Sequence, residues 1–134
     1  MYISMMEAYA IEALKKDGYT YNTLIQAFNA SENKLVQSLK SLYEKDETLL
    51  QKAFNGQYKV SFITINGLKN LLFMRIGIDP ETYRTEYNGI FDVKMDVNIE
   101  RETAAFISTN WTMKRQNEYL SIFVEGKRIW VQLF

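Results

Sequence analysis

The apolar positions of this chain change period at a single place. Up to residue 77 they recur mostly every three to four residues, the spacing of one face of a helix; after Pro80 they mostly alternate, the spacing of a strand. Gly77, Asp79 and Pro80, with Pro80 the only proline, mark the boundary. The stretch Tyr2–Lys16 predicts a helix, apolar over most of its circumference and so buried on more than one side, stopping at Asp17-Gly18. Thr20 predicts the N-cap of a short second helix with Leu24, Ile25 and Phe28 on its apolar side. Asn29 suits the left-handed stop of that helix, and Ser31 the cap of a third over Glu32–Glu44. Leu35, Val36, Leu39, Leu42 and Tyr43 share one face of this third helix; Asn33, Lys34, Gln37, Ser38, Lys40 and Ser41 form the other.

Further on, Asn55-Gly56 sits between two runs that include aromatic and β-branched residues. That pattern predicts a β-hairpin with strands at Thr48–Phe54 and Tyr58–Ile65. Helical spacing resumes at Leu68, Leu71, Leu72 and Arg75. Beyond Pro80, Phe91, Val93, Met95, Val97 and Ile99 fall on one strand face, with Asp92, Lys94, Asp96 and Asn98 on the other. Residues 105–113 read as a strand, with a short helix over Glu100–Phe106 as the alternative. A second hairpin is expected to turn at Glu125-Gly126-Lys127 and to pair the Leu120, Ile122, Val124 face with Ile129, Val131 and Leu133. The expectation is an α+β protein: a helical unit over residues 1–76, then a small antiparallel β-sheet domain over 81–134 that serves dimerisation or partner binding.

Composition narrows the function. The 134 residues contain no cysteine and no histidine. Thiolate nucleophiles, histidine bases, Ser-His-Asp triads and the usual zinc sites are therefore excluded, and no catalytic residue, metal ligand or cofactor site is expected. The 16 basic and 16 acidic residues cancel, but the halves differ slightly: residues 1–77 carry nine Lys or Arg against seven Asp or Glu. That is the sign required if the first half faces phosphate. No apolar run reaches the length of a membrane span, and Met1–Lys16 lacks a basic leader while carrying Glu7 and Glu12. A cytoplasmic protein without a membrane partner is expected. The composition, rich in Lys, Asn, Ile and Tyr, is that of an AT-rich genome such as a low-GC bacterium, its phage or a plasmid.

The order helix, short helix, turn, helix, hairpin, helix, with Thr20, Asn29 and Ser31 at their spacing and Thr64 and Gly67 opening the last helix, resembles winged helix-turn-helix DNA-binding proteins, in particular MarR-like regulators. The resemblance covers about residues 1–75. The chain has Asn29 where the family's turn has glycine, and the sheet beyond Pro80 has no counterpart in the family's helical dimer interface. It implies a homodimer on double-stranded DNA, acting as a small transcription regulator or partition-type protein.

The residue types agree with that implication. Between Asn33 and Ser41 there is no carboxylate to repel phosphate. Asn33 and Gln37 suit adenine edges, Ser38 and Ser41 suit base or phosphate, and Lys34 and Lys40 suit phosphate or guanine. Ser31 stands where backbone N–H groups meet a phosphate. Lys52, Asn55, Gln57 and Lys59 flank the expected wing tip. The third helix has no arginine, which weakens base-specific reading by one copy. The alternative is a non-catalytic protein-interaction module, such as a phage-encoded inhibitor or adaptor, that uses the C-terminal sheet. Other features read as structural: Asp92, Asp96, Glu100 and Glu102 as exposed strand charges, Trp111 and Trp130 as packing, and Lys114-Arg115 and Lys127-Arg128 as edge and turn charges.

Overall fold

A computed structural model describes residues 2–124. The chain is α+β. Strand β1 (Tyr2–Ile3) leads into α1 (Met5–Lys16), α2 (Tyr21–Ala27), α3 (Lys34–Lys45) and α4 (Glu47–Phe54). Strand β2 (Lys59–Val60) and α5 (Ile65–Leu71) follow, and α5 widens into a π-helical turn over Leu72–Ile76. A 3-10 turn at Pro80–Thr82 precedes β3 (Arg84–Glu86) and β4 (Gly89–Lys94). Helix α6 (Val97–Phe106) then crosses to β5 (Thr112–Gln116) and β6 (Tyr119–Phe123).

Local chemistry sets each helix start. Ser4 and Glu7 form a reciprocal capping box on α1: Glu7 N–H donates to Ser4 Oγ (3.1 Å) and Ser4 N–H to Glu7 Oε1 (2.8 Å). Helix α1 thus begins at Met5 rather than Tyr2, because Tyr2 and Ile3 pair in parallel with Lys59 and Val60. Thr20 caps α2, as its position implies. The third helix starts two residues later than expected. Asn33 is its cap, accepting the Leu35 N–H at 2.8 Å, while Ser31 Oγ accepts the Asn33 N–H at 3.0 Å. Val36, Leu39 and Leu42 are buried and α3 packs on α1, so the expected apolar face is the observed one.

The hairpin at Asn55-Gly56 is not formed. Residues 47–54 are helical, capped by Asp46, whose carboxylate accepts the Leu49 N–H at 3.0 Å. Leu50, Ala53 and Phe54 are buried at i, i+3 and i+4, a helical spacing. Asn55 closes the helix and Gly56, at φ +87°, supplies the left-handed residue after it. An Asn-Gly pair serves a hairpin turn or a helix stop equally well, and here the apolar period upstream decides. Strand β2 pairs with β1, so the expected wing of Thr48–Phe54 against Tyr58–Ile65 is absent from the described residues.

The C-terminal sheet is antiparallel in the order β3-β4-β6-β5. Its β4 strand carries a bulge between Ile90 and Val93, with Asp92 at φ 62°. The bulge breaks the simple alternation: Ile90, Val93 and Met95 are buried, and Phe91 is only half-buried. Val97 and Ile99 leave the strand altogether, because the Asp96 carboxylate caps α6 by accepting the Ile99 N–H at 2.8 Å. The helical alternative over Glu100–Phe106 is therefore the observed one, and the strand at 105–113 is displaced to Thr112–Gln116. β5 and β6 join through Asn117-Glu118, with Asn117 at φ 61° and Gln116 facing Tyr119. Leu120, Ile122 and Val124 are buried as expected; the hairpin at Glu125-Gly126-Lys127 lies outside the described residues.

Both segments contribute to one apolar cluster that includes Ile11, Leu39, Leu68, Ile90, Phe106 and Ile122. Polar bonds cross the seam between them. Trp111 Nε1 donates to Ile63 O (2.9 Å), and Ile63 N–H donates to Ser108 Oγ (3.1 Å). Among the described residues no helix is long and apolar enough to cross a membrane.

Candidate nucleic-acid interface

Residues 28–33 connect α2 to α3, and the connection is held from both sides. Ala30 and Ser31 N–H groups donate to Ala27 O at 3.2 and 2.9 Å. Phe28 is buried with its ring 5.0 Å from that of Tyr43 on α3. Gln37 completes the closure, donating from Nε2 to Phe28 O (3.0 Å) and to Ser31 O (2.9 Å). One turn of α3 is thereby tied to the loop that precedes it.

This closure sorts the expected reading residues. Lys34, Ser38 and Ser41 are exposed, and Lys40 and Ser31 are half-buried. Ser38 Oγ donates to Leu35 O at 2.7 Å, back into its own helix. Asn33 uses its carbonyl oxygen as the cap of α3. Gln37 uses both N–H groups of its amide on the loop. Bidentate recognition of adenine needs an amide donor and acceptor together, so Gln37 cannot provide it without opening the turn.

The residues expected at a wing tip sit elsewhere in the fold. Lys52 is exposed near the end of α4, and Asn55 is that helix's C-terminal cap. Gln57 follows, its N–H donating to Lys52 O at 2.9 Å. Lys59 is half-buried in β2 and donates to Ala104 O at 3.4 Å. They share a helix end and the chain leaving it, not a hairpin.

Asp92, Asp96, Glu100 and Glu102 are spread over separate partners. Asp92 pairs with Arg84 (3.2 Å), Asp96 caps α6, Glu100 pairs with Arg115, and Glu102 pairs with Arg75 (3.3 Å). Among the described residues no three acidic groups gather as a metal site would require. Trp111 is buried with its indole N–H bonded to the backbone, a packing role. Arg115 also donates to Met95 O (2.7 Å) and Asn117 O (2.8 Å), which makes it a clasp within the sheet; Lys127-Arg128 and Trp130 lie outside the described residues.

A buried polar network among the described residues centres on Arg75, which the sequence marks only as a helical position; its Nη1 has no hydrogen-bond partner there. Its guanidinium lies 4.9 Å from the Tyr58 ring centroid and 4.6 Å from that of Phe106. It donates to Gly56 O (3.1 Å) and Glu102 Oε2 (3.3 Å) and stands 3.9 Å from Glu12 Oε2. Tyr58 O–H donates to the same Glu12 oxygen at 2.6 Å. Burial, reinforced by Glu12, holds the Tyr58 phenol well above its ordinary pKa. Burial opposes the charge of Arg75, but Tyr58, Glu12 and Glu102 outweigh it and raise its pKa. The network ties α1, the loop after α4, the π turn and α6 together. Its sequence signals were Glu12 inside an apolar run and Arg75 at the end of an apolar helix. No family model, curated protein or solved structure matches the chain.

Proposed function

We propose that this protein is a non-catalytic double-stranded-DNA-binding protein that docks the α2–α3 unit as a helix-turn-helix, without a wing hairpin. The observation that supports this is the outward side of α3. From Asn33 to Ser41 it carries no carboxylate and exposes Lys34, Ser38 and Ser41 on a helix whose preceding turn is locked. A rigid helix of this width and polarity fits a major groove. Along the chain the nearest acidic residues, Glu32 and Glu44, stand outside that span; in space Glu7 and Asp46 share a cleft with Ser41, so the face is free of carboxylates at its Lys34 end.

The same geometry limits what the helix can read. Gln37 and Asn33 are committed to the turn and the cap, and α3 holds no arginine. Lysines and hydroxyls remain, and these address phosphates more than base edges. The protein therefore binds duplexes with little sequence discrimination and steep salt dependence, as an architectural or partition-type protein or a regulator that gains specificity by multiplying sites.

Fluorescence anisotropy with AT-rich and GC-rich duplexes over a salt series tests this reading. Binding should weaken steeply with salt for both, and Lys34→Ala should reduce the magnitude of the logarithmic slope by about one. No binding at low salt, or a slope unchanged by Lys34→Ala together with Lys40→Ala, would overturn it.

A further inference from the structure

A cleft of about 580 Å³ opens beside the Arg75 network. Small-molecule sites span roughly 300–1,000 Å³, so its size is that of a ligand site. Four separate stretches wall it: the last turn of α1, the loop at Asn55-Gly56, the π turn with Gly77, and Glu102 of α6. Turns of π-helix are rare and gather at functional sites. This one sets Phe73, Met74, Arg75 and Ile76 along the same cleft.

Three cations and two carboxylates line the cleft. Both carboxylates face Arg75, Glu102 at 3.3 Å and Glu12 at 3.9 Å, and Glu12 also accepts from Tyr58. The two lysines have no such mates. Lys15 and Lys16 are exposed, and neither ammonium makes an ion pair or hydrogen bond among the described residues. Lys16 instead rests its Nζ 4.3 Å from the centroid of the Phe73 ring, and Phe73 is 44% exposed.

We propose that this cleft binds a small organic phosphate that carries a flat ring, the class of a nucleoside monophosphate. Two adjacent ammonium groups act as point charges and match the near-double charge of a phosphate monoester, where a carboxylate offers only one. A charge-assisted bond to phosphate is stronger than an exposed cation–π contact. The phosphate therefore draws Lys16 away from Phe73 and frees the ring face for stacking on a base. Glu102 lines the same cleft with its side chain 44% exposed and opposes further negative charge, which favours one phosphate over a chain of them. The site is separate from the DNA face proposed above: no residue of α3, and none beyond Glu102, lines it.

Isothermal titration calorimetry of the full chain with adenosine monophosphate at low salt tests the proposal. One nucleotide should bind per chain. Lys15→Ala combined with Lys16→Ala should weaken binding at least about tenfold while the circular-dichroism spectrum stays unchanged. Phe73→Ala should weaken adenosine monophosphate and leave ribose 5-phosphate, the weaker ligand, as it was. Lys34→Ala, on α3, should bind the nucleotide as wild type does, so failure of this site and failure of the DNA reading are separable. No binding at millimolar nucleotide would overturn the proposal. So would a lysine double variant that binds normally, or inorganic phosphate that binds as tightly as the nucleotide.

Discussion

Gln37 separates a structural account of α3 from a purely recognition-based one. Replacing it with methionine keeps side-chain length and helix propensity and deletes both bonds to the loop. The bond to Phe28 O is partly buried and that to Ser31 O is exposed. A net 0.5–1.5 kcal/mol for each, with the exposed one at the low end, gives a loss of about 1–2 kcal/mol. With a urea slope of roughly 1–3 kcal/mol/M for a domain of this size, the midpoint should fall by about 0.3–2 M. Gln37→Glu should cost more, because it points a carboxylate at two carbonyl oxygens. Tryptophan fluorescence, from Trp111 and Trp130, and circular dichroism follow the transition, and duplex affinity is measured where both proteins are folded. Affinity of the methionine variant should stay within about threefold of wild type. If instead stability is unchanged within ~0.3 kcal/mol while affinity collapses, Gln37 is a base reader and the clamp argument is wrong.

Gly89 faces the neighbouring backbone: a Cβ there would stand 2.6 Å from Phe123 Cα and meet Ile122 O, so Gly89→Ala should cost about 3 kcal/mol or more, or prevent cooperative folding, in urea melts. Gly18→Ala, at φ +96° with open space around it, should cost only about 1 kcal/mol. Tyr58→Phe keeps the ring beside Arg75 but leaves the buried Glu12 carboxylate without its 2.6 Å donor; a loss of about 2–3 kcal/mol is expected, and less than ~1 would contradict the network's weight. Burial, with Asp79 nearby, pushes the Tyr83 phenol up to about 12, and its hydroxyl has no hydrogen-bond partner among the described residues. The unfolded chain then releases this proton first, so stability should fall as pH rises from about 10 to 12, and Tyr83→Phe should flatten that fall in denaturant midpoints.

The helical half was legible where caps and period agreed. Thr20 capping α2, Thr64 capping α5 and the Val36, Leu39, Leu42 face of α3 are all as the pattern implies. Asn55-Gly56 misled because its local chemistry fits two structures, and the deciding signal was the spacing of Leu50, Ala53 and Phe54. The sheet was legible as a class but not in detail. A bulge at Asp92 and a helix cap at Asp96 both use a short acidic side chain that alternation reads simply as an outward strand position. The Arg75 network was hidden for a different reason. Glu12, Tyr58, Arg75 and Glu102 are distant in sequence, and the π turn that carries Arg75 has no spacing signature of its own. At α3 the residue types were visible, but which amides the turn would consume was not, because that depends on where residues 28–33 place their carbonyls.

The most direct measurement is amide chemical-shift mapping of the folded protein titrated with a short duplex at low salt. The account predicts that the largest shifts gather on the outward face of α3, at Lys34, Ser38 and Ser41. Shifts centred on the C-terminal sheet, or no shifts at all, would contradict it.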